Sequence, residues 1–170
     1  EKVLLAGASL RATWKPFADV AVETTLVAAG DWHIRLHRIT SARSLWVTEG
    51  GFAINRNDGD RDAMSEEAGR ATTDCGTDIS AIIDLGSSID RHGVALKALP
   101  NTNLINAKTT VPQLRGQIAA GESVLICAVF AGVSGPEGEK AMASVPAIPD
   151  LEALDRLFAR EGVPVSSMAA

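Results

Sequence analysis

Apolar positions along the chain recur mostly with the two-residue period of half-buried strands. Val20 to Ala28 alternates and runs into Ala29-Gly30-Asp31, a turn signal, before Trp32 to Thr40 resumes the pattern. Leu45 to Asn55 is a further strand with Gly50-Gly51 inside it, where a bulge is expected. Asp78 to Leu85, Gly93 to Leu99 and Thr109 to Ile118 read the same way. Pro112 predicts an edge position for the last of these, because proline cannot donate to a strand ladder. Ser123 to Phe130 is almost continuously apolar and reads as a core strand buried on both faces.

Between these runs, Arg56 to Ala71 is the most polar stretch and reads as an exposed loop. Ser65-Glu66-Glu67 is expected to form a short helical turn. Ser134-Gly135-Pro136 opens a second loop. The period then changes: Leu151, Leu154, Leu157 and Phe158 share one face of a helix, with Asp150 as N-cap and Gly162 as stop. Short strands broken by turns about every ten residues predict a mainly β fold, an antiparallel β-sandwich with one C-terminal amphipathic helix. The division is residues 1–148 for the sandwich and 149–170 for the helix and tail packed on it. The expected core is Val22, Leu26, Ile34, Leu36, Val47, Phe52, Ile79, Ile83, Leu125, Ala128 and Phe130.

Composition narrows the function. The chain has 170 residues, long enough to bury a core without disulfides or a metal. Its net charge is −5, which disfavours duplex nucleic acid, and 4% aromatics with no Tyr disfavour a base-stacking surface. The longest apolar run, Val124 to Val133, is far too short to span a membrane. Cys75 and Cys127 form no CxxC or zinc pattern and read as buried free thiols, with a single disulfide as the alternative; they fit a cytoplasmic protein without excluding export. No cofactor is implied. The chain starts at Glu1 with too short an apolar stretch for a signal peptide, so the start reads as a cut inside a longer protein or a mature end.

The segment Asp31 to Arg38 carries the most chemistry. In a strand, Trp32, Ile34 and Leu36 fall on one face and His33, Arg35 and His37 on the other. Two imidazoles flanking a guanidinium can line a pocket for an anionic group such as a uronic acid. Arg35 would grip the carboxylate and an imidazole would move a proton. The competing reading is a solvated outer face of the sheet. The His-x-x-x-His spacing lacks a third ligand for a metal. Glu49 is a carboxylate in an otherwise apolar strand and a second catalytic candidate, or else a partner of Arg35 or Arg38. Glu23 and Asp84 are further strand carboxylates, with nothing to show that any two meet as a glycosidase pair. Asn57 to Asp62 reads as an Asp-Gly turn rather than a calcium loop. Neither a GxSxG elbow nor a phosphate loop is present.

Three stretches together resemble a known family: DWHIRLHRI with TEGGFAI (Asp31 to Ile54), PNTNLI with TVPQLRGQIAAGE (Pro100 to Glu122), and SVLICAVFAG. They resemble the C-terminal region of a bacterial family known as a domain of unknown function. Its members look like relatives of heparinase II/III-type polysaccharide lyases and of uronic-acid-acting glycoside hydrolases. The resemblance implies an upstream α/α toroid of helices carrying much of the cleft, with this sandwich adding residues to it. It implies an acidic carbohydrate as ligand. The strand pattern itself assigns His33 and Arg35 to substrate binding and His37 and Glu49 to catalysis. The relatives use a sandwich histidine in places, and position does not decide between His33 and His37. The alternative is a non-catalytic structural or glycan-binding module.

Overall fold

The computed structural model describes residues 2–6, 9–52, 54–56, 63–67, 69–88, 90–100, 108–161 and 164–165. Strands dominate: β1 (Lys2–Ala6), β2 (Ser9–Phe17), β3 (Val20–Ala29), β4 (Trp32–Ser41), β5 (Leu45–Gly50), β6 (Ile54–Arg56), β7 (Ala63–Glu67), β8 (Arg70–Asp74), β9 (Asp78–Asp84), β10 (Asp90–Pro100), β11 (Lys108–Ile118), β12 (Gly121–Val133) and β13 (Pro164–Val165). Two helices follow β12, α1 (Pro136–Ala143) and α2 (Leu151–Glu161). The large sheet has the order β13-β1-β2-β3-β4-β12-β9-β8-β7. The small one is β10-β11-β5, with β6 on the far end of β11's β5 edge. All pairings are antiparallel. The fold is the expected antiparallel sandwich.

The large sheet is covered on both sides. On its inner face Val22, Ile39, Ile82, Leu125, Cys127 and Val129 pack with Leu114 and Ile118 of the small sheet. On its outer face Trp32, Ala128 and Phe130 pack under Ala141 and Met142 of α1, and Ile34, Leu36 and Ile126 meet Leu151 of α2. This accounts for the continuous apolar run of β12: both of its faces are core.

Several expectations need correction. The stretch after Ser134 is not all loop, because α1 forms there with Pro at its start. Gly138 lets it lie against β12: a Cβ at Gly138 would stand 1.8 Å from the Val133 carbonyl oxygen. Arg56 to Ala71 is not one exposed loop, since it contains β7 and the start of β8, and Ser65-Glu66-Glu67 lies in a strand. Pro112 is not at an edge: β11 is the central strand of the small sheet. It is tolerated because β5 pairs Gln113 onward and β6 pairs only up to Thr110, so Pro112 faces the gap between them. Gly51 fills that gap and its N–H donates to the Pro112 carbonyl at 2.8 Å; a Cβ there would sit 2.8 Å from Pro112 Cγ.

Of the expected core, Val22, Ile34, Leu36, Ile79, Leu125, Ala128 and Phe130 are buried, and Val47 and Ile83 are half-buried. Leu26 and Phe52 are each 37% exposed. The small sheet packs chiefly over β7, β8 and β9. Strands β2 and β3 extend past its edge, leaving Leu26 open, and Phe52 follows β5 at the rim. Asn57 to Asp62, Asn101 to Ala107 and Gly162 lie outside the described residues. Asp150 caps α2 as expected, its Oδ1 accepting from the Ala153 N–H at 3.0 Å.

Candidate functional site

A two-residue turn sets up the site. Gly30, at φ 63°, joins β3 to β4 so that Ala29 pairs Trp32. The antiparallel register then places Thr24 opposite His37 and Leu26 opposite Arg35. On the other edge of β4, His33, Arg35 and His37 face Val129, Cys127 and Leu125 of β12. Trp32, Ile34 and Leu36 are buried on the outer face, so the strand alternates as its sequence predicts. The His33, Arg35 and His37 face is not the solvated outer surface. It is turned toward the small sheet, at the open lip where β5 approaches β4.

Glu49 reaches this lip from β5. It forms an ion pair with Arg35, whose Nη1 also donates to the Gly50 carbonyl at 2.7 Å. The other Glu49 oxygen lies 3.2 Å from His37 Nε2, close enough for an ion pair but out of line for a hydrogen bond. His37 Nδ1 is 2.9 Å from Thr24 Oγ1, and the Trp14 indole N–H donates to the same hydroxyl at 3.3 Å. Phe52 sits between the remaining groups, its ring 5.5 Å from the Arg35 guanidinium and edge-on to His33 at 6.1 Å. The cluster therefore joins His33, Arg35, His37 and Glu49, with Thr24, Phe52 and Trp14 around them.

The electrostatics follow from this packing. Burial works to raise the Glu49 pKa, but His37 and Arg35 outweigh it and hold the carboxyl below its ordinary value. Glu49 is thus a carboxylate at neutral pH and can only accept. His37 Nδ1 meets the Thr24 hydroxyl, whose oxygen takes the Trp14 N–H, while Nε2 faces Glu49 without a hydrogen bond. Beneath Arg35, burial pushes the Cys127 thiol far above its usual range, so it is an inert core group. Cys75 and Cys127 are both free and buried.

The other strand carboxylates stand apart. Glu23 is on the outer face, where it pairs with Arg38 at 2.7 Å, and Arg38 also meets Asp155 of α2. Asp84 accepts from Gly86 and Ser87 in the turn after β9. Glu49 thus pairs with Arg35, not with Glu23. Among the described residues no cluster of three His, Cys, Asp or Glu side chains suits a metal ion, and no helix is long and apolar enough to cross a membrane.

A cavity of about 910 Å³ opens elsewhere, mainly over the outer face, lined by Thr13, Lys15, Glu23, Arg38, Thr40 and Glu122 among others; Trp14 borders it. It excludes His33, Arg35, His37 and Glu49, and its Arg38 is already held by two carboxylates. The cluster at the lip has the more versatile chemistry.

Sequence reasoning missed Thr24 and Trp14 and placed Phe52 in the core. The Thr24–His37 pairing was available from the turn: two residues at Gly30-Asp31 fix the hairpin register. Trp14 gave no comparable signal, because its approach to Thr24 depends on the β2–β3 register, which is irregular between Trp14 and Phe17.

The sandwich fold is shared with solved structures of a heparan sulfate lyase and a heparinase III. A heparan sulfate lyase, HepC from Pedobacter heparinus, aligns over 80% of this chain with TM-score 0.56 and 10% identity. A mutant of the same lyase aligns with TM-score 0.53 and 11% identity, covering 80% of this chain. A heparinase III, the BT4657 gene product, covers 76% of it with TM-score 0.53 and 6% identity. The chain spans only 22%, 22% and 21% of those three structures, and at these identities the likeness is one of fold. No curated protein matches the chain. The DUF2264 C-terminal domain matches residues 5–152, and the chain belongs to that family.

Proposed function

We propose that this chain is the sandwich portion of a carbohydrate-active enzyme, a polysaccharide lyase or glycoside hydrolase acting on acidic sugars. The main catalytic domain, a helical toroid upstream in the same protein, would supply the rest of the cleft, and this chain alone would be inactive. The observation that carries the reading is the cluster itself: a guanidinium, two imidazoles and a carboxylate at one open lip of a lyase-like sandwich.

In this reading His33, the exposed imidazole, and Arg35 bind the substrate. Among the described residues both Arg35 hydrogen bonds leave from Nη1, so Nε and Nη2 are available to a uronate carboxylate. His37 is the proton-transfer group and Glu49, 3.2 Å from its Nε2, is the carboxylate that positions it. For a lyase, the balance is simple. The proton beside the carboxylate goes to the base, its electron pair forms the carbon–carbon double bond, and the glycosidic oxygen departs with a proton. Arg35 would make that proton more acidic by neutralising the carboxylate. A hydrolase would need a protonated acid, and Glu49, held ionised, does not fill that role; the acid would come from the toroid.

A second reading has its own support. Both His37 nitrogens face groups of the protein, and Arg35 and Glu49 are already paired, as expected of a module that buttresses a catalytic domain or binds glycan without chemistry. Turnover of acidic oligosaccharides by the full-length protein separates the two. Loss of kcat in His37→Ala with the fold intact supports the enzymatic role, and unchanged kcat supports the buttress.

A further inference from the structure

Strands β2 and β3 carry the large sheet past the edge of the small one, and part of their inner face stays open among the described residues. Pairing puts Leu10 opposite Leu26, Ala12 opposite Thr24, Trp14 opposite Val22 and Phe17 opposite Val20, all on this face. Trp14 is 48%, Phe17 59% and Leu26 37% exposed, and Leu10 is half-buried. These paired positions carry no charge. Their one polar side chain, Thr24, is taken up by Trp14 and His37. Arg43, 6.0 Å from the Phe17 ring, is already paired with Asp19. The opposite face of the same two strands holds Arg11, Thr13, Glu23 and Thr25. In an antiparallel sheet with one wet face, that face is the polar one. Here apolar side chains take the open side, so the shelf is a stretch of core lacking its second layer.

A sugar finds almost nothing to hold on this shelf, because its hydroxyls need polar partners. An apolar protein surface fits it. The point where the chain enters indicates which one. Lys2 pairs Thr13, so a domain upstream in the same protein joins the sandwich beside Trp14. The chain belongs to a family of C-terminal domains and spans about a fifth of the lyases it resembles.

We propose that Leu10, Trp14, Phe17 and Leu26 are the docking shelf of the upstream domain, which lays an uncharged apolar face on them. Docked there, that domain stands against the lip, since Trp14 connects through Thr24 to His37 and Leu26 pairs Arg35. This rests on the part of the functional reading that sets a domain upstream and is independent of the sugar.

The test is hydroxyl-radical footprinting of the full-length protein, read by mass spectrometry. Trp14 and Phe17 should oxidise as slowly as Trp32, which is buried under α1. Trp46, 62% exposed and turned away from the core, is the freely oxidised reference. Trp14 oxidising as fast as Trp46 overturns the proposal. A protease site placed before Glu1 gives a second readout. After cleavage the two wild-type halves should stay together in gel filtration. Phe17→Asp with Leu26→Asp, both at exposed positions, should release them while circular dichroism shows the sandwich folded. Separation in the wild type, or none in the variant, overturns the shelf. If protection of Trp14 falls on dilution as a dimer dissociates, a second copy covers the shelf and the proposal is wrong. Sugar binding is scored separately. Protected Trp14 without sugar binding keeps the shelf and sinks the sugar reading; sugar binding with freely oxidised Trp14 does the reverse.

Discussion

Arg35 of the large sheet and Glu49 of the small sheet form an ion pair across the sandwich, each side chain about four-fifths buried. It ties β5 to β4 at the edge where the apolar core between the sheets gives out. Arg35 binds the Gly50 carbonyl as well, so one guanidinium anchors the end of β5.

Glu49→Gln leaves Arg35 without its counter-charge and should cost about 1–3 kcal/mol of folding stability. Urea unfolding measures this directly. A double change, Arg35→Met with Glu49→Leu, should recover much of the loss, because the apolar pair leaves no unmatched charge at the lip.

Acid should act on the same group. Glu49 has a lowered pKa in the folded state, so between that value and its ordinary 4.5 the unfolded chain binds more protons than the folded one. Stability from Glu49 is complete above the ordinary value and is lost as pH falls through the lowered one. Thermal melts of wild type and Glu49→Gln should therefore converge as pH drops below about 4. A gap that stayed constant would mean that Glu49 is not held ionised by its partners.

The seat of α1 depends on a missing side chain. Gly138→Ala would set a Cβ against the Val133 carbonyl and must displace the helix, at a cost of about 3 kcal/mol or more. Trp32 would then lose its indole bond to the Ala141 carbonyl, now 3.2 Å, so a red-shifted tryptophan emission should accompany the loss.

The seat of α2 has two parts with different magnitudes. Phe158 is buried beneath the Arg11 guanidinium, and Phe158→Ala should cost about 3 kcal/mol. Asp155 binds Arg11 and Arg38 but is half-exposed, so Asp155→Asn should cost under about 1 kcal/mol and less in high salt. Denaturation at two ionic strengths tells the two apart.

Much of the fold is legible in local pattern. Alternation locates β3, β4 and β9, the continuous run of Ser123 to Phe130 marks the doubly covered strand, and the leucine spacing finds α2. What escapes is non-local. Residues 136–143 carry local helix signals, Pro136 at the start, Glu137 and Glu139 in the first turn and Lys140 in the last, but no apolar stripe strong enough to stand out; the seat of α1 comes from Trp32 and Gly138's fit against β12. Pro112 indicates an edge only if strand partners are continuous, and the β5–β6 gap removes that premise. For the site, the alternation on β4 brings His33, Arg35 and His37 to one face. Which face is inward, and that Glu49 meets Arg35 and His37 there, depends on how two sheets stack.

The central claim is that this lip binds an acidic sugar. The direct measurement is NMR of the imidazole signals of His33 and His37 during titration with a heparan sulfate tetrasaccharide and a galacturonate tetrasaccharide. The account predicts saturable shifts at both histidines with one of these probes, abolished by Arg35→Ala while the chain stays folded. Unmoved imidazole signals at millimolar sugar, in both the isolated chain and the full-length protein, would contradict it.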